Sequence, residues 1–173
     1  MFPGISGVGK TTLAAGLMNA GFQYFTDEVA ILERGSHRII PCPVGLRVKE
    51  GSVAIISDML ETFPTVCDTV GQDGTWIRYA VPAPGSFPSV PEEGKPVQWL
   101  VFPAYSPDGP ESLSPLSRIE SLRRLQAAGY EVCGKLDSQK VAELVAWIKD
   151  VDCREMAFRS LSSAVSMVRG LVE

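Results

Sequence analysis

The sequence predicts an α/β fold: a single domain with a mixed β-sheet and flanking helices. Segments with helical spacing of apolar residues are interleaved with short β-rich runs from one end to the other. That interleaving argues against two linked domains, and no internal repeat is present. A glycine-rich loop, Gly4-Ile5-Ser6-Gly7-Val8-Gly9-Lys10-Thr11, leads directly into the first helical segment. The length of 173 residues suits one domain, burying about two thirds of the surface its unfolded chain exposes.

Taken in order, residues 11–20 (TTLAAGLMNA) carry apolar side chains at helical spacing, and Gly21 stands where that helix should stop. Residues 22–25 read as a short strand ending at Thr26-Asp27-Glu28. Residues 29–32 and 38–40 flank the turn-rich Arg34-Gly35-Ser36-His37 and read as a β-hairpin with His37 at its surface. Residues 44–48 are β-rich, and 55–61 read as a short helix. In the Pro- and Gly-dense stretch 70–94 only 76–81 reads as a strand, the remainder as loop. Residues 97–102 (VQWLVF) form a continuous apolar strand of the kind that occupies a sheet centre. Ser114 reads as an N-cap and Pro115 as the first residue of a helix reaching Ala128 and stopped by Gly129. Further helices are expected over 138–148 and 161–171.

Composition narrows the classes of function. Hydrophobic residues make up 45% and charged ones 21%, which is ordinary for a globular chain. The net charge of −4 provides no basic stripe, so nucleic acid is not an expected partner. Arg118, Arg123 and Arg124 are expected on a solvated helix face. Cys42, Cys67, Cys133 and Cys153 form no CxxC pair, and the chain has one histidine. A zinc site is therefore not expected, and the cysteines read as buried free thiols in a reducing compartment. No basic-then-apolar leader and no apolar run approaching about 18 residues is seen. The expectation is a soluble cytoplasmic protein with no membrane partner.

The loop carries the clearest chemistry. Gly4-x4-Gly9-Lys10-Thr11 satisfies the spacing GxxxxGK[ST] in full. From average residue usage, chance produces it in well under about 1% of chains this long, so a Gly-rich turn before an ordinary helix is the weaker reading. Glycines let the backbone curl so that successive N–H groups point at phosphate oxygens, and the following helix turns its positive end to the same anion. Lys10 would meet the β- and γ-phosphates and the Thr11 hydroxyl would ligate Mg²⁺. The expected nucleotide-binding set is Gly4, Ser6, Gly7, Val8, Gly9, Lys10, Thr11 and Thr12, with a nucleoside triphosphate and Mg²⁺ as ligands. Only Met1-Phe2-Pro3 precede Gly4, so the strand from which such a loop normally leaves is expected to be missing, as in an N-terminally truncated domain.

Phosphoryl transfer also needs an acid for the metal and a group to orient or deprotonate the nucleophile. The apolar run 97–102 continues into Pro103-Ala104-Tyr105 without an acid. Asp27-Glu28 instead closes the short strand after the P-loop helix, where a strand beside the loop would deliver it to the phosphates. Asp58, Asp68 and Asp73 are weaker alternatives.

These residues together, GISGVGKTTLAAGLMNAGFQYFTDEVAIL, resemble the HPr kinase/phosphorylase C-terminal domain and its wider set of HPr-kinase-like proteins. Pro41-x-Pro43-x-x-Leu46, Phe102-Pro103-x-Tyr105 and Leu113-Ser114-Pro115-Leu116-Ser117 extend the resemblance more loosely over most of the chain. The resemblance implies a P-loop domain of the phosphoenolpyruvate carboxykinase/HPr kinase type. It implies ATP-dependent phosphorylation of a serine on a protein or peptide substrate, with Asp27 as general base, Lys10 as phosphate clamp, Thr11 and Glu28 on the metal side, and a homo-oligomer as the family's frequent assembly. Position 28 is Glu where HPr kinases carry Asp, no upstream histidine is present, and CPVGLRVKEGS replaces the segment that marks the HPr substrate. HPr itself is therefore not the expected acceptor. The alternative is a non-catalytic nucleotide-binding regulatory module. A small-molecule P-loop enzyme is disfavoured because no Arg-rich lid is evident and the loop 81–96 has only Lys95 as a cation.

Overall fold

The computed structural model describes residues 1–42, 44–88 and 94–173. Pro43, and with it part of the Pro41-x-Pro43 motif, lies outside the described residues, as does part of the loop 81–96. In chain order the elements are α1 (Lys10–Asn19), β1 (Ile31–Leu32), β2 (Ile39–Ile40), β3 (Leu46–Lys49), α2 (Glu50–Leu60), β4 (Thr65–Val70) and β5 (Trp76–Val81). There follow β6 (Trp99–Tyr105), β7 (Ser112–Pro115), α3 (Arg118–Ala127), α4 (Ser138–Asp150), β8 (Asp152–Phe158) and α5 (Leu161–Val172). The chain is thus α/β with mixed sheets and flanking helices. Among the described residues the strands form three sheets, and the residues gather in two compact units.

The first unit comprises Met1–Lys10, Leu32–Ile39 and Lys95–Glu173. Its sheet has the order β6-β8-β7, with β6 parallel and β7 antiparallel to β8. β6 matches the expected apolar strand, but the sheet centre belongs to β8, which sequence patterning missed. β8 reads DCREMAF, and its adjacent Arg154 and Glu155 interrupt any run of apolar residues. Leu100, Phe102, Cys153, Leu125, Ile148 and Val151 form a buried cluster between the sheet and α3 and α4. Each fully buried Leu or Ile there contributes about 1.5–3 kcal/mol relative to exposure.

The Ser114–Pro115 helix start is corrected. Ser112–Pro115 is β7, and the Leu116 N–H donates to the Cys153 carbonyl at 2.8 Å, continuing the attachment to β8. The helix begins only at Arg118, capped by Ser117, whose Oγ accepts from the Glu120 N–H at 3.3 Å. Two Ser residues stand three apart, and sheet pairing claims the first. The helix does stop at Gly129, whose φ of 87° is open to glycine. Arg123 is solvated as expected, whereas Arg124 is not: it bridges Glu120 at 3.0 Å and Glu155 of β8 at 2.7 Å.

The second unit comprises Thr11–Ile31 and Ile40–Gly94. Its antiparallel sheet has the order β3-β5-β4 and buries Leu46, Val48, Ile77 and Ala80, with α2 packed on β3 and β5. α1 buries Leu13, Ala15, Gly16 and Leu17, so burial reaches around more than one narrow face of the helix. It ends in a Schellman turn: Phe22 N–H donates to Leu17 O at 3.0 Å and Gly21 N–H to Met18 O at 2.9 Å, with Gly21 at φ 93°. β5 coincides with the expected strand. β4 is an addition to the expected elements, only its last residue, Val70, falling in the stretch read as loop; every residue of it is exposed and no buried alternation marks it. α2 is longer than expected and begins at Glu50.

Residues 22–25 are corrected as well. They form no strand: the Tyr24 N–H donates to Ser86 O at 2.8 Å and the Cys42 N–H to Phe25 O at 3.0 Å, two isolated bonds to different segments instead of a ladder. Of the four cysteines, all free, only Cys153 is buried. Cys67 and Cys133 are exposed, against the expectation of buried thiols. Among the described residues no helix is long and apolar enough to cross a membrane.

Candidate functional site

Within the first unit, the loop from Gly4 stands at the carboxyl ends of the parallel pair β6 and β8. A methyl group placed on Gly9 would lie 3.5 Å from Phe158 and 4.0 Å from Tyr105, the last residues of those strands. In open α/β sheets this is the end where ligands are held. The loop is also tethered to β6 at its start. The Met1 amine donates to Trp99 O at 2.8 Å and the Val101 N–H donates to Met1 O at 2.9 Å, two bonds of a parallel ladder.

Gly7 and Gly9 have φ values of 93° and 90°, a backbone that L residues rarely adopt. This is the conformation in which loop N–H groups turn inward as an anion nest. Gly4 is required for another reason, since a Cβ there would meet Val8 Cγ2 at 2.9 Å. At Gly7 nothing lies within 4 Å of an added Cβ, so that side of the loop is open. Lys10 Nζ donates to Gly4 O at 2.8 Å and Ile5 O at 2.7 Å. The ammonium is thus folded back over the loop that precedes it.

Thr11 follows Lys10 on α1 and belongs to the second unit. Its hydroxyl donates to Asp27, 2.9 Å from Oδ2 and 3.1 Å from Oδ1. The Arg47 N–H on β3 donates to the same Oδ2 at 3.1 Å. Asp27 is half-buried and accepts from a hydroxyl and an amide donor. Glu28 is exposed and points elsewhere: its Oε1 lies 3.7 Å from Arg47 Nη1. Thr12 Oγ1 donates to Ser52 Oγ on α2 at 3.0 Å. Nearby, Tyr24 is buried and donates to Val44 O at 2.7 Å. Burial, reinforced by the Asp27 charge, holds its phenol well above the usual value, so it remains protonated.

The other acids are engaged elsewhere. Asp68 pairs with Arg78 at 2.7 Å, Asp73 accepts from the Thr75 N–H at 3.0 Å, and Asp58 accepts from Ser57 at 3.2 Å. His37 was expected at the surface, but it is buried at 6% exposure. Its ring stacks on Trp147 with centroids 4.8 Å apart and 10° between planes, and Nε2 lies 3.4 Å from Tyr130 Oη. A φ of 51° at His37 turns the hairpin tip so that the ring faces α4. The sequence reading missed Arg47 and Ser52. They stand in the quoted segment CPVGLRVKEGS, where only the alternation Leu46, Arg47, Val48 hinted that Arg47 occupies a different sheet face from its neighbours.

The residues present fit a phosphate ligand and a hard cation. Within the first unit the loop and Lys10 carry N–H and ammonium donors of the kind that suit a phosphate; within the second, the Thr11 hydroxyl and the Asp27 carboxylate carry oxygens of the kind that suit a hard cation. Among the described residues no group of three or more His, Cys, Asp or Glu gathers to hold a metal ion. A divalent ion at Thr11 and Asp27 would therefore need most of its oxygen ligands from outside these two side chains. No protein-family model, curated protein or solved structure matches this chain.

Proposed function

We propose that the chain is an HPr-kinase-like phosphotransferase, of the phosphoenolpyruvate carboxykinase/HPr kinase type of P-loop domain, that uses ATP and Mg²⁺ to phosphorylate a protein or peptide hydroxyl. One observation carries the reading. The hydroxyl of the P-loop threonine is bonded to the first acid of the pair, 16 positions along the chain. That is the pairing a metal-dependent phosphoryl transfer site requires, and the resemblance of the sequence points to the same two residues.

In this reading Lys10 exchanges its loop carbonyls for the β- and γ-phosphate oxygens, and the loop N–H groups hold the phosphates in line. Thr11 and Glu28, with Asp27 beside them, would hold Mg²⁺, which when bound would supply charge neutralisation to the phosphates. Asp27 takes the proton of the acceptor hydroxyl as that oxygen bonds the γ-phosphorus. The bond from the γ-phosphorus to the bridging oxygen breaks, and the nucleoside diphosphate leaves. Most of the rate enhancement then comes from positioning and charge neutralisation.

A specific observation favours a second reading, a nucleotide-binding module without catalysis. The Thr11 hydroxyl lies within hydrogen-bond reach of both Asp27 oxygens, and Oδ2 also accepts from the Arg47 amide, a pattern that suits a structural acid as well as a base. Incubation with γ-labelled ATP and Mg²⁺, with and without a lysate, separates the two. Transfer of label to a protein, lost in Asp27→Asn and retained in Arg118→Ala, supports the kinase. ATP-dependent thermal stabilisation without transfer supports the module.

A further inference from the structure

We propose that Arg47 is a latch on Glu28: a positioning residue that holds the second acid of the pair away from the metal and must release it when Mg²⁺ binds with the nucleotide. The proposal rests on the reading of Thr11, Asp27 and Glu28 as the metal side of a nucleotide site. Arg47 stands on β3 between the fully buried Leu46 and Val48, so its side chain leaves the opposite face of the strand. It touches both acids by different means. The backbone N–H donates to Asp27 Oδ2 at 3.1 Å, while the guanidinium lies 3.7 Å from Glu28 Oε1.

This division makes the latch separable from the scaffold. A neutral side chain at position 47, as in Arg47→Gln, keeps the amide that donates to Asp27 yet releases Glu28. The identity of position 28 also matters. The ion pair already sits near the limit of contact at 3.7 Å, and the extra methylene of Glu over Asp provides the reach. The side chains of Arg47 and Glu28 are 30% and 50% exposed, so the pair is weak and yields to a divalent ion. Its removal should change the Mg²⁺ requirement by about two- to fivefold.

The test titrates Mg²⁺ at fixed concentration of a fluorescent ATP analogue against the whole chain, for wild type, Arg47→Gln, Arg47→Lys, Glu28→Gln and the double variant Arg47→Gln/Glu28→Gln. The expected result is a lower half-saturating Mg²⁺ in Arg47→Gln, restoration toward wild type in Arg47→Lys, and no effect of Arg47→Gln once Glu28 is Gln. The wild-type to Arg47→Gln ratio should approach one as ionic strength rises. An unchanged or higher Mg²⁺ requirement in Arg47→Gln overturns the latch. So does weaker Mg²⁺-free nucleotide binding in that variant, which would make Arg47 a phosphate contact. If wild type binds no nucleotide at any Mg²⁺ concentration, the functional reading itself fails and the latch falls with it.

Discussion

The Thr11 hydroxyl and the Asp27 carboxylate are joined at 2.9 Å within the second unit, although Asp27 lies in a bend with no strand before it. The helix that begins at Lys10 presents the hydroxyl, and the β3 amide of Arg47 holds the acid from the other side. A bend anchored at two points can therefore stand in for a strand end in positioning an acid. A hydrogen bond to a charged partner is worth about 1.5–3 kcal/mol, less where solvent reaches it.

Thr11→Val keeps the shape of the side chain and removes the donor. It should lower stability by about 1 kcal/mol in urea unfolding, since Asp27 retains the Arg47 amide. It should also abolish the Mg²⁺ dependence of nucleotide binding while leaving some Mg²⁺-independent affinity from the loop. Unchanged Mg²⁺ dependence would remove Thr11 from the metal side.

The helix start at Arg118 makes a second prediction. Ser117→Ala removes the cap and should cost about 1 kcal/mol, whereas Ser114→Ala, an exposed position on β7, should change stability by less than about 0.5 kcal/mol. Chemical denaturation of the two variants side by side reads the difference. The reverse order of effects would return the cap to Ser114.

The thiols make a third. Burial raises the Cys153 thiol above its ordinary value, so at any pH it carries less thiolate than an exposed cysteine. A thiol reagent at pH 8 should label Cys67 and Cys133 within minutes and Cys153 only after unfolding. Rapid labelling of Cys153 in the native protein would contradict the packing of β8 against α3 and α4.

Much of this was legible in the sequence where local physics decides. α1, β5, α4, α5 and the stops at Gly21 and Gly129 follow from periodicity and from glycine at positive φ. The left-handed backbone at Gly7 and Gly9 was legible because the spacing Gly4-x4-Gly9-Lys10-Thr11 already placed glycines where the loop must curl. What was not legible depends on long-range pairing. Ser112–Pro115 became a strand because β8 recruits it, and β8 itself hid behind Arg154 and Glu155. His37 looked like an exposed turn residue, and Trp147 and Tyr130, both far along the chain, cover its ring. Arg47 joined the acidic pair by the same kind of distant contact.

The most direct test of the central claim is calorimetric titration of the chain with ATP in Mg²⁺, compared with Lys10→Ala verified as folded by circular dichroism. The functional reading predicts saturable, Mg²⁺-dependent binding in wild type and a loss of at least about tenfold in the variant, one lost charge-assisted contact to phosphate being worth that much. Absence of binding in wild type at millimolar ATP, or equal binding by Lys10→Ala, would contradict it.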